Sequence, residues 1–177
     1  MRLLLKAVAV VIAWGCLTMS PAVVRAESKV TISGTHLCCG ACVTAVKKAL
    51  ADIPGVTHEA SQGDSKIVIT ASDDQVAQKA VDALAAAGFY GKVNSQTVKY
   101  KAIEIPEGKV KRLEVSGIHN CCGSCNRSIK EAIKSVTGVT TDTAKAKSST
   151  FVVEGDFSAK ELVDALQDSG FRVEVKK

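Results

Sequence analysis

The heptapeptide His36-Leu37-Cys38-Cys39-Gly40-Ala41-Cys42 recurs as His119-Asn120-Cys121-Cys122-Gly123-Ser124-Cys125, 83 residues further on. The likeness extends well beyond it. Ser33-Gly34 matches Ser116-Gly117, and Gly55-Val56 matches Gly138-Val139 at the same offset. Val81-Asp82-Ala83-Leu84 then matches Val163-Asp164-Ala165-Leu166, and Gly88-Phe89 matches Gly170-Phe171, one residue closer. A period this long marks a duplicated domain, since solenoid repeats run about 20–50 residues. Each copy must therefore close a core within about 65–70 residues, a size at which one core gives only marginal stability.

The hydrophobic period switches between strand and helix in the same order in both copies. Lys29 to Ser33 alternates polar and apolar, as a half-buried strand does. Cys42, Val46, Ala49, Leu50 and Ile53 then recur at three- and four-residue steps, an amphipathic helix that Pro54-Gly55 ends. Val56–Gln62 and Lys66–Thr70 read as two strands about a Gly63-Asp64 turn. Ser72 or Asp73 caps a second helix through Val76, Ala80, Val81 and Leu84, which Gly88 stops. A last strand is expected over Tyr90–Ser95. The second copy predicts strands near Lys111–Ser116, Val139–Ala144, Thr150–Glu154 and Phe171–Val175, with helices near Ser124–Ser135 and Ser158–Ser169. The expected class is α+β, with two ferredoxin-like βαββαβ domains in tandem at residues 27–96 and 110–177. Residues 97–109 read as a linker, with an edge-strand alternation over Tyr100–Ile105.

Residues 1–26 read as an export signal. Arg2 and Lys6 precede an apolar run from Ala7 to Leu17, and Val24-Arg25-Ala26 supplies a cleavage site. The run is too short for a spanning helix of about 20 residues, so no spanning membrane segment is expected. The destination is periplasmic or secreted. A lipid anchor on Cys16 is the weaker alternative, because bulky Trp14 makes a poor lipoprotein signal. Of the 23 basic residues, three lie in this leader, which has no acidic residue; 20 basic and 18 acidic residues remain. That near-balance, with few aromatics, leaves no electrostatic footprint for nucleic acid.

Six of the seven cysteines and two of the three histidines lie in the duplicated heptapeptides. Thiolate sulfur and imidazole nitrogen are the side-chain donors that soft and borderline cations prefer. The two-residue gap in Cys39-Gly40-Ala41-Cys42 and Cys122-Gly123-Ser124-Cys125 lets both sulfurs face one ion. Cys42 and Cys125 fall in the first helical turn, where free N–H groups and the helix dipole favour thiolate. Three cysteines per copy leave one unpaired if disulfides stay local, which suits a ligand set better than a staple. The sequence thus predicts two metal sites, one per copy, drawn from Cys39, Cys42, Cys122 and Cys125. Cys38, Cys121, His36 and His119 are further candidates. Adjacent side chains diverge, so Cys38 and Cys121 are either third ligands after a loop adjustment or thiols that hand metal on. His36 and His119 are either ligands or neighbours of ligands.

These features resemble the heavy-metal-associated domain family, which includes copper chaperones, modules of copper-exporting ATPases and exported mercury-binding proteins. The resemblance rests on the Cys-Xaa-Xaa-Cys pairs, on Val43–Leu50 and Pro54-Gly55-Val56, and on Gly88-Phe89 and Gly170-Phe171. It covers nearly all of the chain after the leader, once per copy. It implies that Cys39 with Cys42, and Cys122 with Cys125, bind the metal. Leu37 and Asn120 depart from the family's methionine, and each loop is longer by two residues. Two thiolates suit linear copper(I) or mercury(II), whereas three thiolates and an imidazole could close a tetrahedral zinc site.

The reading is an exported carrier or sequestering protein for a thiophilic cation, copper(I) first, zinc or mercury(II) behind, with no catalytic residues and no enzyme activity. It would pass its ion by ligand exchange to a membrane metal transporter or another metal-binding domain. The rival is a thiol–disulfide oxidoreductase or redox sensor using the same pairs. A third reading is a domain that senses metal while docked on a membrane transporter. Lys47, Lys48, Lys130 and Lys134 are expected on a solvated helix face, His58 on a solvated strand, and Phe89 and Phe171 as core plugs.

Overall fold

A computed structural model of the chain describes residues 26–176; Cys16 and the expected export signal, apart from Ala26, lie outside the described residues. The first unit runs β1 (Ser28–Ser33), α1 (Gly40–Leu50), β2 (Val56–Ala60), β3 (Lys66–Ala71), α2 (Asp74–Ala86) and β4 (Lys92–Val93). The second runs β5 (Lys109–Ser116), α3 (Gly123–Lys134), β6 (Val139–Asp142), β7 (Phe151–Ser158), α4 (Ala159–Asp168) and β8 (Glu174–Lys176). Each forms one four-stranded antiparallel sheet, ordered β2-β3-β1-β4 and β6-β7-β5-β8. This is the split-βαβ order that the alternating periods predict. The class is α+β.

Alternation decides the faces. Val30 and Ile32 of β1 and Ile67, Ile69 and Ala71 of β3 are buried against Cys42, Val46 and Leu50 of α1 and Ala77, Ala80, Val81 and Leu84 of α2. Leu113, Val115, Phe151, Val153 and Phe157 play the same part in the second unit, under Ile129, Ile133, Leu162 and Leu166. Fully burying one such side chain stabilises the fold by about 1.5–3 kcal/mol. Asp73 caps α2 by accepting from the Val76 N–H at 2.9 Å, and Ser158 caps α4 by accepting from the Glu161 N–H at 3.3 Å. The N-cap residues of α1 and α3 are Cys39 and Cys122, both extended, at φ −150° and −149°. No side-chain oxygen closes those two helix starts.

Several edges differ from the expectation. β4 shrinks to Lys92–Val93, and β8 begins at Glu174 rather than Phe171, because Phe89 and Phe171 pair with each other in an antiparallel bridge between the units. β7 runs on past Glu154 to Ser158, since Phe157 beyond it is fully buried. Tyr100–Ile105 forms no strand. It runs beside α2 instead: Gln78 binds the Lys99 backbone at both its N–H and its C=O, and Lys101 pairs with Asp82 at 2.9 Å. Tyr100 stacks on Tyr90 with ring centroids 4.8 Å apart. These contacts hold the segment against the first unit without a sheet partner. Among the described residues no helix is long and apolar enough to cross a membrane.

Candidate metal centre

In each unit the loop after the first strand carries the heptapeptide to the start of a helix. Leu37 is buried and its C=O accepts from Gly63 N–H at 2.8 Å, tying the first loop to the β2–β3 turn. Asn120 does the same work with polar groups. Its side chain donates to the Lys145 C=O at 2.9 Å and to Asn126 at 3.1 Å, while its C=O accepts from Lys147 N–H at 2.7 Å. These two positions, which the sequence marks only as departures from a methionine, anchor the loops.

The two loops face each other. Gly170-Phe171, at the end of α4, packs on the first loop, and Gly88-Phe89, at the end of α2, packs on the second. Phe171 stacks with His36 and Phe89 with His119, each pair with centroids 4.5 Å apart. Tyr90 N–H donates to the Gly170 C=O at 3.1 Å, and Arg172 N–H to the Gly88 C=O at 3.0 Å. Both glycines have positive φ, +84° and +85°. A Cβ on Gly88 would lie 2.3 Å from the His119 nitrogen, and one on Gly170 would lie 2.4 Å from the His36 nitrogen. Only glycine permits both the backbone turn and this approach. The phenylalanines are core plugs as expected, and they also clamp one unit to the other, which the sequence does not reveal.

The clamp joins the cysteines of both units into one cluster. Within the first loop Cys38 Sγ and Cys39 Sγ lie 3.9 and 3.7 Å from Cys42 Sγ. Within the second, Cys121 and Cys122 each lie 3.7 Å from Cys125. Across the units, Cys38 lies 3.5 Å from Cys125 and 3.8 Å from Cys122. Cys42 lies 3.8 Å from Cys125 and 3.7 Å from Cys121, and Cys39 lies 3.7 Å from Cys121. Cys38 with Cys39, and Cys122 with both Cys39 and Cys121, fall within 4.8 Å. None of the six is in a disulfide. The two expected sites are not set apart in space: the six sulfurs lie in one cluster. Cys38 and Cys39 do not part as expected: both lie against Cys42, and beyond it Cys38 reaches Cys122 and Cys125 while Cys39 reaches Cys121.

Cys42 and Cys125 are wholly buried, while the other four cysteines are half-buried at the mouth. Burial pushes the Cys38 thiol up to about 12 and raises Cys121 as well. Cys42 is raised by the facing Cys125 thiol and by burial. Cys122 goes the other way, to about 6, because backbone N–H groups of Cys125 and Ser124 at the start of α3 favour its thiolate. A bound cation removes the penalty of crowding thiolates together, so this donor set suits a metal ion and is poorly suited to staying empty and ionised.

A ring nitrogen of His36 lies within 4.8 Å of Cys38 Sγ and of Cys125 Sγ, one from each unit. A Cys3His set within one unit is therefore not what the loop builds. His119 approaches Cys42 of the other unit. The Nε2 atoms of both histidines are buried without a hydrogen-bond partner, and burial holds the His36 pKa below its usual value. His58 is half-buried on β2, away from the cluster. Lys47, Lys48 and Lys134 are exposed, and Lys130 pairs with Asp142 at 2.6 Å.

Residues 112–172 match the model of the heavy-metal-associated domain, which places that likeness on the second unit, from β5 to the Gly170-Phe171 loop. No curated protein matches the chain. Among solved structures, the N-terminal soluble domains of Bacillus subtilis CopA align at 17% identity over 86% of this chain and 95% of that one, with a TM-score of 0.31. The first two RRM domains of yeast poly(U)-binding protein Pub1 align at 10% identity over 84% and 98%, with a TM-score of 0.25. The heavy-metal-associated match over residues 112–172 covers β5 to α4 of the second unit, whose βαββαβ strand order the first unit repeats.

Proposed function

We propose that this protein is an exported carrier or sequestering protein for a thiophilic heavy-metal cation, copper(I) before zinc or mercury(II), and that it is not an enzyme. The observation that carries the reading is the convergence of six cysteine sulfurs, nine of their separations at 3.5–3.9 Å, where the two repeated loops meet. The family match over residues 112–172 supports the heavy-metal class. Sulfur-only coordination favours copper(I) and other soft ions over oxygen-seeking ones.

The arrangement also accounts for transfer. Cys38, Cys39, Cys121 and Cys122 stay partly open while Cys42 and Cys125 are sealed. A partner's thiolate can add at the mouth before a resident thiolate leaves, so an ion moves without being released to water. A membrane metal transporter or a second metal-binding domain fits that role. Export follows from the leader sequence.

The test is anaerobic titration of the reduced chain with copper(I), zinc(II) and mercury(II), with bound metal counted by mass spectrometry. The reading expects tight copper(I) uptake that Cys42→Ser with Cys125→Ser abolishes. Uptake that survives that double replacement, or no uptake at all, refutes it.

A further inference from the structure

The six sulfurs have the connectivity of an octahedron. The nine separations of 3.5–3.9 Å and the three pairs within 4.8 Å are its edges. Cys38 and Cys121, Cys39 and Cys125, and Cys42 and Cys122 are then its opposite corners. Every triangular face takes sulfurs from both repeats except Cys38-Cys39-Cys42 and its counterpart Cys121-Cys122-Cys125.

The edge length selects a coordination number. With metal–sulfur bonds of about 2.3 Å, as thiolates make to first-row ions, a linear ion needs its two sulfurs about 4.6 Å apart. The Cys39–Cys42 and Cys122–Cys125 pairs are both at 3.7 Å, too close for that. A tetrahedral ion needs four sulfurs all about 3.8 Å from one another, and an octahedron contains no such four. A trigonal ion needs a triangle with edges of about 4 Å; four faces have all edges at 3.5–3.9 Å, and the other four include a pair that lies within 4.8 Å.

We propose that this chain holds a single tetranuclear copper(I)–thiolate cage, built from all six cysteines of both repeats, in place of one ion per repeat. Four copper(I) ions on alternate faces give every ion three sulfurs and make every sulfur bridge two ions. Loading breaks six S–H bonds, releases six protons to solvent and forms twelve Cu–S bonds; copper(I) enters and stays copper(I), so no electron moves. Four single positive charges against six thiolates leave the filled cage at −2, and no sulfur is left as an uncompensated buried anion. The Phe89–Phe171 clamp holds the two half-cages in register. The proposal rests on the thiophilic-cation reading above and adds the nuclearity and the shared site.

The experiment loads the reduced chain, residues 27–177, with copper(I) under anaerobic conditions, and reads native mass spectra and copper X-ray absorption. The cage predicts that metal-free and four-copper species dominate at half loading, because the first ions align the faces for the rest. It also predicts copper–copper scattering at two thirds of an edge, about 2.6 Å for edges near 4 Å. Replacing Cys38 and Cys121 together with serine should remove the four-copper species and the copper–copper signal. Two coppers per chain without copper–copper scattering overturn the cage while leaving the heavy-metal reading intact. Four coppers retained after the double replacement also overturn it. No copper bound by the unaltered reduced chain overturns both.

Discussion

Gly170→Ala tests whether the two repeats are held together by the glycine–phenylalanine clamp. Alanine at φ +85° carries a backbone penalty of about 1–2 kcal/mol. Its Cβ would also sit 2.4 Å from the His36 nitrogen and 2.6 Å from the Gly34 oxygen, so the first loop must withdraw by about 1 Å to reach ordinary contact. Withdrawal breaks the hydrogen bond from His36 N–H to the Gly170 C=O, about 1 kcal/mol. It also loosens the His36–Phe171 stack, about 0.5–1.5 kcal/mol. The closed form should lose about 3 kcal/mol in total. Gly108→Ala is the control: φ there is +72°, yet nothing lies within 4 Å of the added Cβ, so only the backbone penalty applies. Urea unfolding gives the stability difference, and a short bifunctional thiol reagent mapped by mass spectrometry reports the Cys38–Cys125 approach of 3.5 Å. Gly170→Ala should be destabilised by about 1.5–2.5 kcal/mol more than Gly108→Ala and should lose the cross-repeat link. Equal destabilisation with the link retained would refute the clamp.

Three further outcomes follow from the same geometry. Cys122 should be the first cysteine alkylated by iodoacetamide in the metal-free reduced chain, with a midpoint near pH 6, because its thiolate is stabilised by backbone N–H groups; peptide mapping that finds Cys38 modified first contradicts this. The metal-free chain should lose stability as pH rises from about 9 toward 12. Cys38, Cys42 and Cys121 bind their protons more tightly folded than unfolded, so their contribution is whole below the free-thiol value and fades through the folded one. Denaturation midpoints that hold steady across that window would count against the buried thiol cluster. The chain should also show no catalytic turnover in an insulin-reduction assay, and turnover abolished by Cys39→Ser with Cys122→Ser would favour the redox reading.

Much of the fold is legible in the sequence because local periods carry it. Val30 and Ile32 against Lys29 and Thr31 announce a half-buried strand, and Val46 and Leu50 a helix face, without help from the rest of the chain. The strand ends were misplaced where a tertiary contact competes for the backbone. Phe171 has β character, yet it pairs with Phe89 across the units and starts no strand there. Tyr100–Ile105 alternates like a strand, but Gln78 at the Lys99 backbone and Asp82 at the Lys101 side chain tie its start to α2 instead. The candidate ligands were legible from composition and spacing. Their union was not, because each heptapeptide looks complete by itself and no local period encodes an approach between residues 79–87 positions apart. The one signal was the recurrence of Gly-Phe after both second helices, which reads as packing until Gly88 is seen against His119 and Gly170 against His36.

The most direct test of the shared centre replaces Cys121, Cys122 and Cys125 with serine and leaves the first loop whole. Copper(I) capacity and affinity are then measured against a chromogenic competitor, beside the unaltered chain. If the repeats bind independently, the variant keeps half the capacity at unchanged affinity. A centre built jointly predicts more than half the capacity lost and weaker binding of what remains, because Cys38, Cys39 and Cys42 retain only the one triangle of sulfurs they form among themselves. Half capacity at full affinity would contradict the account.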